Sequence, residues 1–138
     1  MILVDSNVLA AVLNVRDDQH LRANEFLAST TDELKVSPLV IDEVAHLLTH
    51  RERRWDAQTA LLASFGDDDG LSLAELTGDD VARMAQLSAQ YESAKIDATD
   101  LSIVAIAERL GITSIATFDH RDFTIVRPIH VVAFTLLP

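Results

Sequence analysis

The residues best suited to chemistry in this chain are four acids that lie far apart in sequence: Asp5, Glu43, Asp100 and Asp119. Asp5 and Asp119 directly follow short apolar runs, whereas Glu43 and Asp100 lie near the starts of apolar segments with helical spacing. Carboxylates that meet in one place repel one another, so such a cluster needs cations to be stable. Hard oxygen ligands favour Mg²⁺ or Mn²⁺. A metal held in this way can activate water for in-line attack on a phosphodiester.

The elements around these acids predict an α/β fold. Strands are expected at residues 2–4, 34–36, 71–74, 114–118 and 131–136, and helices at 8–13, 20–28, 38–50, 55–65, 77–91 and 100–110. Short apolar strands that alternate with helices imply βαβ units, and hence a three-layer α/β/α sandwich around a central, mostly parallel sheet. Because ligands bind at the carboxyl ends of parallel strands, this fold predicts that the four acids converge at one sheet edge.

Each acid also has a purely structural explanation when it is taken alone. Asp5 and Asp100 are suited to capping a helix, Asp119 to a turn, and Glu43 to a solvated helix face. The common placement of all four at one predicted edge is what favours a site.

Four neighbours of these acids are secondary candidates. Asp97 and Asp122 lie three residues from Asp100 and Asp119, and both are expected beside the metal ligands or in solvent. Ser6 and Asn7 flank Asp5 and are expected either to orient it by hydrogen bonds or to cap the following helix.

The composition sets limits on the class of protein. The chain has 138 residues, which suits a single domain over residues 1–138, and its lack of cysteine excludes disulfides, thiolate nucleophiles and zinc ribbons. No signal peptide and no apolar run long enough to span a membrane is recognisable, so a soluble cytoplasmic protein is expected. The acidic stretch at residues 66–70 is expected to form an exposed turn.

The net charge does not by itself exclude a nucleic-acid substrate. The chain has 22 Asp and Glu residues against 11 Lys and Arg residues, a formal charge of −11. This charge disfavours proteins that bind phosphates with basic side chains alone. A metal-recruiting enzyme can be acidic overall, because its cations supply positive charge at the site.

Four segments of the sequence resemble the motifs of the PIN-domain family, and within that family the VapC-type toxins. They are residues 2–9 (ILVDSNVL), 37–44 (SPLVIDEV), 100–111 (DLSIVAIAERLG) and 116–123 (ATFDHRDF). The resemblance spans essentially the whole chain. It departs from the usual pattern at Leu101, where the family commonly has alanine, and at Asp97, where the family commonly has a small residue.

The resemblance implies both an activity and partners. It implies Mg²⁺- or Mn²⁺-dependent endoribonuclease activity as the toxin of a toxin–antitoxin module. The metal would be held by Asp5, Glu43, Asp100 and Asp119. It also implies a homodimer and a cognate VapB-type antitoxin. Because the chain is negatively charged, such an antitoxin is expected to place an arginine or lysine among the acids. Apolar grooves near residues 8–13 and 55–65 are expected to hold an amphipathic helix of the same partner.

Other interpretations of the sequence stay open. One is a Mg²⁺-dependent phosphatase with Asp5 as its nucleophile, and another is a PIN-fold binding module that is catalytically weak. His46 and His50 have a spacing typical of zinc ligands, but Leu47 stands where a zinc peptidase would have glutamate. The basic cluster at residues 51–54 is either a solvated helix end or a phosphate contact.

Overall fold

The computed structural model describes residues 1–65 and 70–138 of the chain as a parallel sheet covered by helices. Its strands are β1 (Ile2–Val4), β2 (Leu34–Val36), β3 (Ser72–Leu73), β4 (Ser114–Ala116) and β5 (Thr135–Leu137). They lie in the order β3-β2-β1-β4-β5, and every neighbouring pair is parallel. The predicted α/β fold with a parallel central sheet is therefore confirmed.

The helices connect these strands; the first six lie close to the predicted bounds, whereas the short seventh was not predicted. They are α1 (Ser6–Leu13), α2 (His20–Ser29), α3 (Pro38–His46), α4 (Trp55–Ala63), α5 (Gly78–Gln90), α6 (Ala98–Leu110) and α7 (Arg121–Ile125). A 3₁₀ turn covers Glu92–Ala94. The helix predicted at 38–50 is not uniform, because its last turn is a π-helix over Leu47–Arg51, in which the Glu52 amide donates to the Leu47 carbonyl at 3.2 Å.

The core lies between the sheet and its two helical layers. Successive residues of a strand point to opposite faces, and all three residues of β1 are buried, so both faces of the sheet are covered. Residues 101–107 of α6 are buried as well, as the almost continuous apolar run predicted. Gly111 ends this helix with a φ of 68°, the left-handed conformation that favours glycine. These packed elements fix the carboxyl edge of the sheet.

The last two strands are shorter than predicted. β4 ends at Ala116 rather than residue 118, and β5 begins at Thr135 rather than residue 131. Strand length depends on pairing, and β4 offers partners only from Ser114 to Ala116. Val132 is 90% exposed and contributes nothing to the sheet. An apolar, β-branched run therefore suggested a longer strand than its neighbour can support.

Two sequence expectations concern segments outside the core. Residues 66–69 of the predicted acidic turn lie outside the described residues, and Gly70, which follows them, is exposed. None of the helices in residues 1–65 and 70–138 is both long enough and apolar enough to cross a membrane.

Candidate active site

Asp5 lies at the centre of the carboxyl edge, immediately after β1. Its amide donates to the Ala116 carbonyl at 2.9 Å, which ties it to the end of β4. Its carboxylate caps α1, with Oδ1 accepting from the Ser6 amide at 2.7 Å. The residue is only 4% exposed. Asp5 thus serves as a helix cap and also presents a buried carboxylate at the edge of the sheet.

A polar clamp of Asn7 and Thr117 fixes the other oxygen of Asp5. Asn7 Nδ2 and Thr117 Oγ1 each donate to Asp5 Oδ2 at 2.8 Å. Asn7 also accepts from the Phe118 amide through Oδ1 at 3.0 Å, so it joins α1 to the end of β4. The predicted hydrogen bonds from Ser6 and Asn7 to Asp5 are therefore present, whereas the role of Thr117 was missed.

Burial raises the pKa of Asp5. Hydrogen bonds from Thr117 and Ser6 oppose this rise, and the negative charge of Glu43 adds to it. Neutral donors hold the carboxylate in place here without supplying a compensating positive charge. The site therefore favours an added proton or cation.

Asp100 lies in the first turn of α6 and is the most perturbed acid of the site. Asp97 caps this helix, with Oδ1 accepting from the Asp100 amide at 3.1 Å. Burial raises the pKa of Asp100 to about 9, reinforced by the charges of Asp5 and Asp97 and by a hydrogen bond and charge from Asp122. At neutral pH a proton on Asp100 therefore relieves the repulsion between these carboxylates.

Glu43 and Asp119 lie nearer to solvent. Glu43 is exposed on α3, close enough for its charge to act on Asp5, and lines a cavity of about 450 Å³ with Ser6 and Asn7. Asp119 is also exposed, and its Oδ1 accepts from the Arg121 amide at 3.1 Å.

Thr117 connects Asp119 to the clamp on Asp5. The Asp119 amide donates to Thr117 Oγ1 at 3.1 Å. The charge of Glu43 thus acts on Asp5, and the charge of Asp5 acts on Asp100, while Asp119 lies at the rim. The acids that act on Asp100 besides Asp5 are Asp97 and Asp122, which the sequence had ranked as secondary.

The donors at this edge fit a hydrated divalent cation. Among residues 1–65 and 70–138, no three His, Asp or Glu side chains stand close enough together to form a ready-made cage. Mg²⁺ does not require a cage, because proteins commonly hold it with one or two carboxylates while it keeps several waters. Asp5 and Asp100 supply such oxygens, and the raised pKa of Asp100 marks where positive charge is missing.

The competing interpretations gain no support from the geometry. His46 and His50 stack face to face, with ring centroids 4.0 Å apart, and Nδ1 of His50 lies 3.0 Å from the Thr49 hydroxyl. For the phosphatase, Asn7 stands two residues after Asp5, where phosphatases with an Asp-x-Asp motif have a second aspartate. Its side chain instead donates to Asp5 and accepts from the Phe118 amide.

Known proteins resemble this chain in sequence or in fold. The curated protein Ribonuclease VapC26 of Mycobacterium tuberculosis is 29% identical over 136 residues, covering 99% of both chains. The crystal structure of Mycobacterium tuberculosis VapC20, a sarcin–ricin loop cleaving toxin, matches with a TM-score of 0.83 and 23% identity, over 95% of this chain and 98% of that one. VapBC2 from Rickettsia felis, bound to a promoter DNA fragment, matches with a TM-score of 0.73 and 16% identity over 100% of both chains.

The two structural matches share the fold of this chain at low sequence identity. The sequence model of the PIN domain family matches residues 2–127, a span that includes all four predicted acids and the five-stranded sheet except β5. This chain belongs to the PIN domain family.

Proposed function

We propose that this chain, as a single PIN domain over residues 1–138, is a Mg²⁺- or Mn²⁺-dependent endoribonuclease that acts as the toxin of a VapBC-type module. The observation that carries the proposal is the pair formed by the buried Asp5 and the half-buried Asp100, in which desolvation and the repulsion between the two carboxylates raise the pKa of Asp100 to about 9. Asp5 and Asp100 would repel each other less if they held a divalent cation between them. The 29% identity to Ribonuclease VapC26 supports RNA as the substrate.

The residues of the site divide into those that hold the cation and those that orient the holders. Asp5 and Asp100 would be the inner ligands, and Glu43 and Asp119 at the rim would bind directly or through water. When bound, the cation supplies an activated water and stabilises charge on the phosphate that is attacked.

The remaining side chains do the positioning. Asn7 and Thr117 keep one oxygen of Asp5 in place, so its other oxygen has a fixed direction. Asp100 would release its carboxyl proton to solvent water in order to bind the cation. Neither Asp5 nor Asp100 acts as a nucleophile in this scheme.

An antitoxin is the proposed partner, and an apolar cavity offers it a place to bind. The cavity has a volume of about 570 Å³ and lies between α1, α2 and α4. Its apolar lining includes Leu9, Val12 and Leu13 from α1, Leu27 from α2 and Leu61 from α4. This lining suits the apolar face of a partner helix, and a basic side chain from the same partner would neutralise the acidic edge.

The proposed protein acts as a homodimer in the cytoplasm. Trp55 and Leu62 lie seven residues apart on α4, so they share one helix face, and they are 62% and 53% exposed. An apolar stripe of this kind suits contact with a second copy.

The proposal is tested with the purified chain and a structured RNA substrate. Cleavage is expected with Mg²⁺ or Mn²⁺ and is expected to stop when EDTA is added. Cleavage that survives exhaustive chelation would refute the metal mechanism, and RNA binding without cleavage would favour the weak binding module. A phosphoryl group trapped on Asp5 would support the phosphatase instead.

A further inference from the structure

The cavity of about 450 Å³ that begins at the acidic site continues between α1 and α3. Ser6, Asn7 and Ala10 line it from α1, and Glu43 and His46 line it from α3. It therefore runs along both helices away from the sheet edge. A substrate bound at the acids would have room to extend in this direction.

The π-helical turn brings Arg51 into this cavity. In a regular α-helix, the residue seven positions after Glu43 returns to the same face, which would be His50. The π-turn adds one residue to its turn, so the residue eight positions after Glu43 takes that place. Arg51 accordingly lines the cavity with Glu43, while His50 stacks on His46.

Arg51 is the one arginine or lysine that lines the cavity in the part of the chain that the structure describes. Within those residues it forms no ion pair at 4.0 Å or less. Its neighbour Arg54 differs, because the Arg54 guanidinium binds both carboxylate oxygens of Asp56 at 3.1 and 3.0 Å. The basic cluster thus contains one arginine neutralised by an acid and another that faces the cleft.

The negative charge of the rest of the cleft makes Arg51 the side chain in its lining that can attract a phosphate. The other charged residues of the lining are the acids Asp17 and Glu43, which repel an incoming phosphate. A cation held by Asp5 and Asp100 would lie beside the phosphate that is cleaved. A strand that extends past it needs a separate positive charge, and an arginine pairs with phosphate through two parallel hydrogen bonds.

We propose that Arg51 binds the RNA backbone at a phosphate next to the cleaved one and so positions the strand in the cleft between α1 and α3. This inference rests on the proposed ribonuclease function. Arg51 is a positioning residue here, and it has no part in activating water.

The test compares Arg51→Gln with Arg54→Gln, which removes the same charge from the same cluster outside the cleft. We expect Arg51→Gln to raise KM for RNA about tenfold, whereas kcat changes far less. The slope of log(kcat/KM) against log salt should become shallower by about 0.7, the value for one phosphate contact on a single strand. Arg51→Lys should recover part of the loss, and Arg54→Gln should match the wild type.

The possible outcomes separate this inference from the proposed function. If the wild type cleaves RNA and Arg51→Gln has the same KM and salt slope, the inference is overturned, whereas the proposed ribonuclease function stands. Equal losses in Arg51→Gln and Arg54→Gln would also overturn it, because they would indicate a general charge effect. A changed oligomeric state of Arg51→Gln in size-exclusion chromatography would assign Arg51 to an interface instead. A wild-type chain that neither binds nor cleaves RNA would refute both proposals.

Discussion

Buried acids occur in two regions of this molecule, and their surroundings differ. Between α5 and α6, Asp80 and Glu108 have side chains that are only 2% and 4% exposed, and each receives two hydrogen bonds from an arginine. At the carboxyl edge, Asp5 is equally buried but is bound by neutral donors. Within the described residues, neither Asp5 nor Asp100 has an arginine or lysine at ion-pair distance.

The two environments move the pKa in opposite directions. Burial also acts to raise the pKa of Asp80, but hydrogen bonds from Arg109 and Thr77 outweigh it and hold the pKa below its usual value. Burial and neighbouring acids raise the pKa of Asp100 to about 9. The first region neutralises its acids with the chain's own cations and gains stability. The second region leaves its acids uncompensated, which costs stability and creates a demand for an external cation.

The largest expected effect follows from removing one acid of the edge. Asp5→Asn or Asp100→Asn should lower RNA cleavage by roughly 10²–10³-fold, because an amide replaces a charged ligand of the cation. Initial rates with saturating Mg²⁺ measure this loss, and circular dichroism checks that each variant is folded. Wild-type rates in a folded Asp100→Asn protein would contradict the assignment of Asp100.

A change in the other region should affect stability instead. Arg109→Gln leaves the buried Asp80 carboxylate without its charged hydrogen bonds and with only its capping bonds to Thr77, so the free energy of unfolding should fall by about 2 kcal/mol. Cleavage at a temperature where the protein stays folded should be unchanged. Urea unfolding measures the difference. Arg54→Gln, which breaks an ion pair at the protein surface, is the control and should leave stability unchanged.

A smaller effect is expected from the clamp on Asp5. Thr117→Val preserves the shape of a buried side chain but removes the hydroxyl that donates to Asp5, so cleavage should fall about tenfold. Thr135→Val, at the amino end of the neighbouring strand, is the matched control. If both variants cleave equally well, Thr117 has no positioning role.

The sequence was sufficient for those parts of the fold and site that depend on local pattern. The apolar run before Asp5 marks a buried strand, and the continuous apolar stretch of residues 101–107 marks a buried helix, because burial determines which residues these segments can contain. Asp5 and Asp100 could be selected since each stands where such a segment meets the expected edge.

The remaining features depend on pairing, which a single sequence does not show. Thr117 contacts Asp5 because β1 and β4 are neighbours, and a threonine two residues before Asp119 carries no local sign of that. The importance of Asp122 for Asp100 likewise arises from the packing of α7 against α6. The π-turn that places Arg51 in the cleft has no visible signature in the helical pattern.

Without a cation, the uncompensated acids at the carboxyl edge should destabilise the folded protein. Thermal unfolding of the metal-free wild type and of metal-free Asp100→Asn, at pH 5 and at pH 8, tests this most directly. The folded state holds a proton on Asp100 up to a pKa of about 9, whereas the unfolded chain releases it near the ordinary value of 3.8. Stability from this group is therefore complete below 3.8 and is lost progressively as the pH rises toward 9.

The wild type should accordingly lose more stability than Asp100→Asn between pH 5 and pH 8. At pH 8 the variant should unfold at a higher temperature, by about 3 °C or more. Mn²⁺ should stabilise the wild type and have little effect on the variant. A metal-free Asp100→Asn protein that is less stable than the wild type at pH 8, and that responds equally to Mn²⁺, would contradict the account.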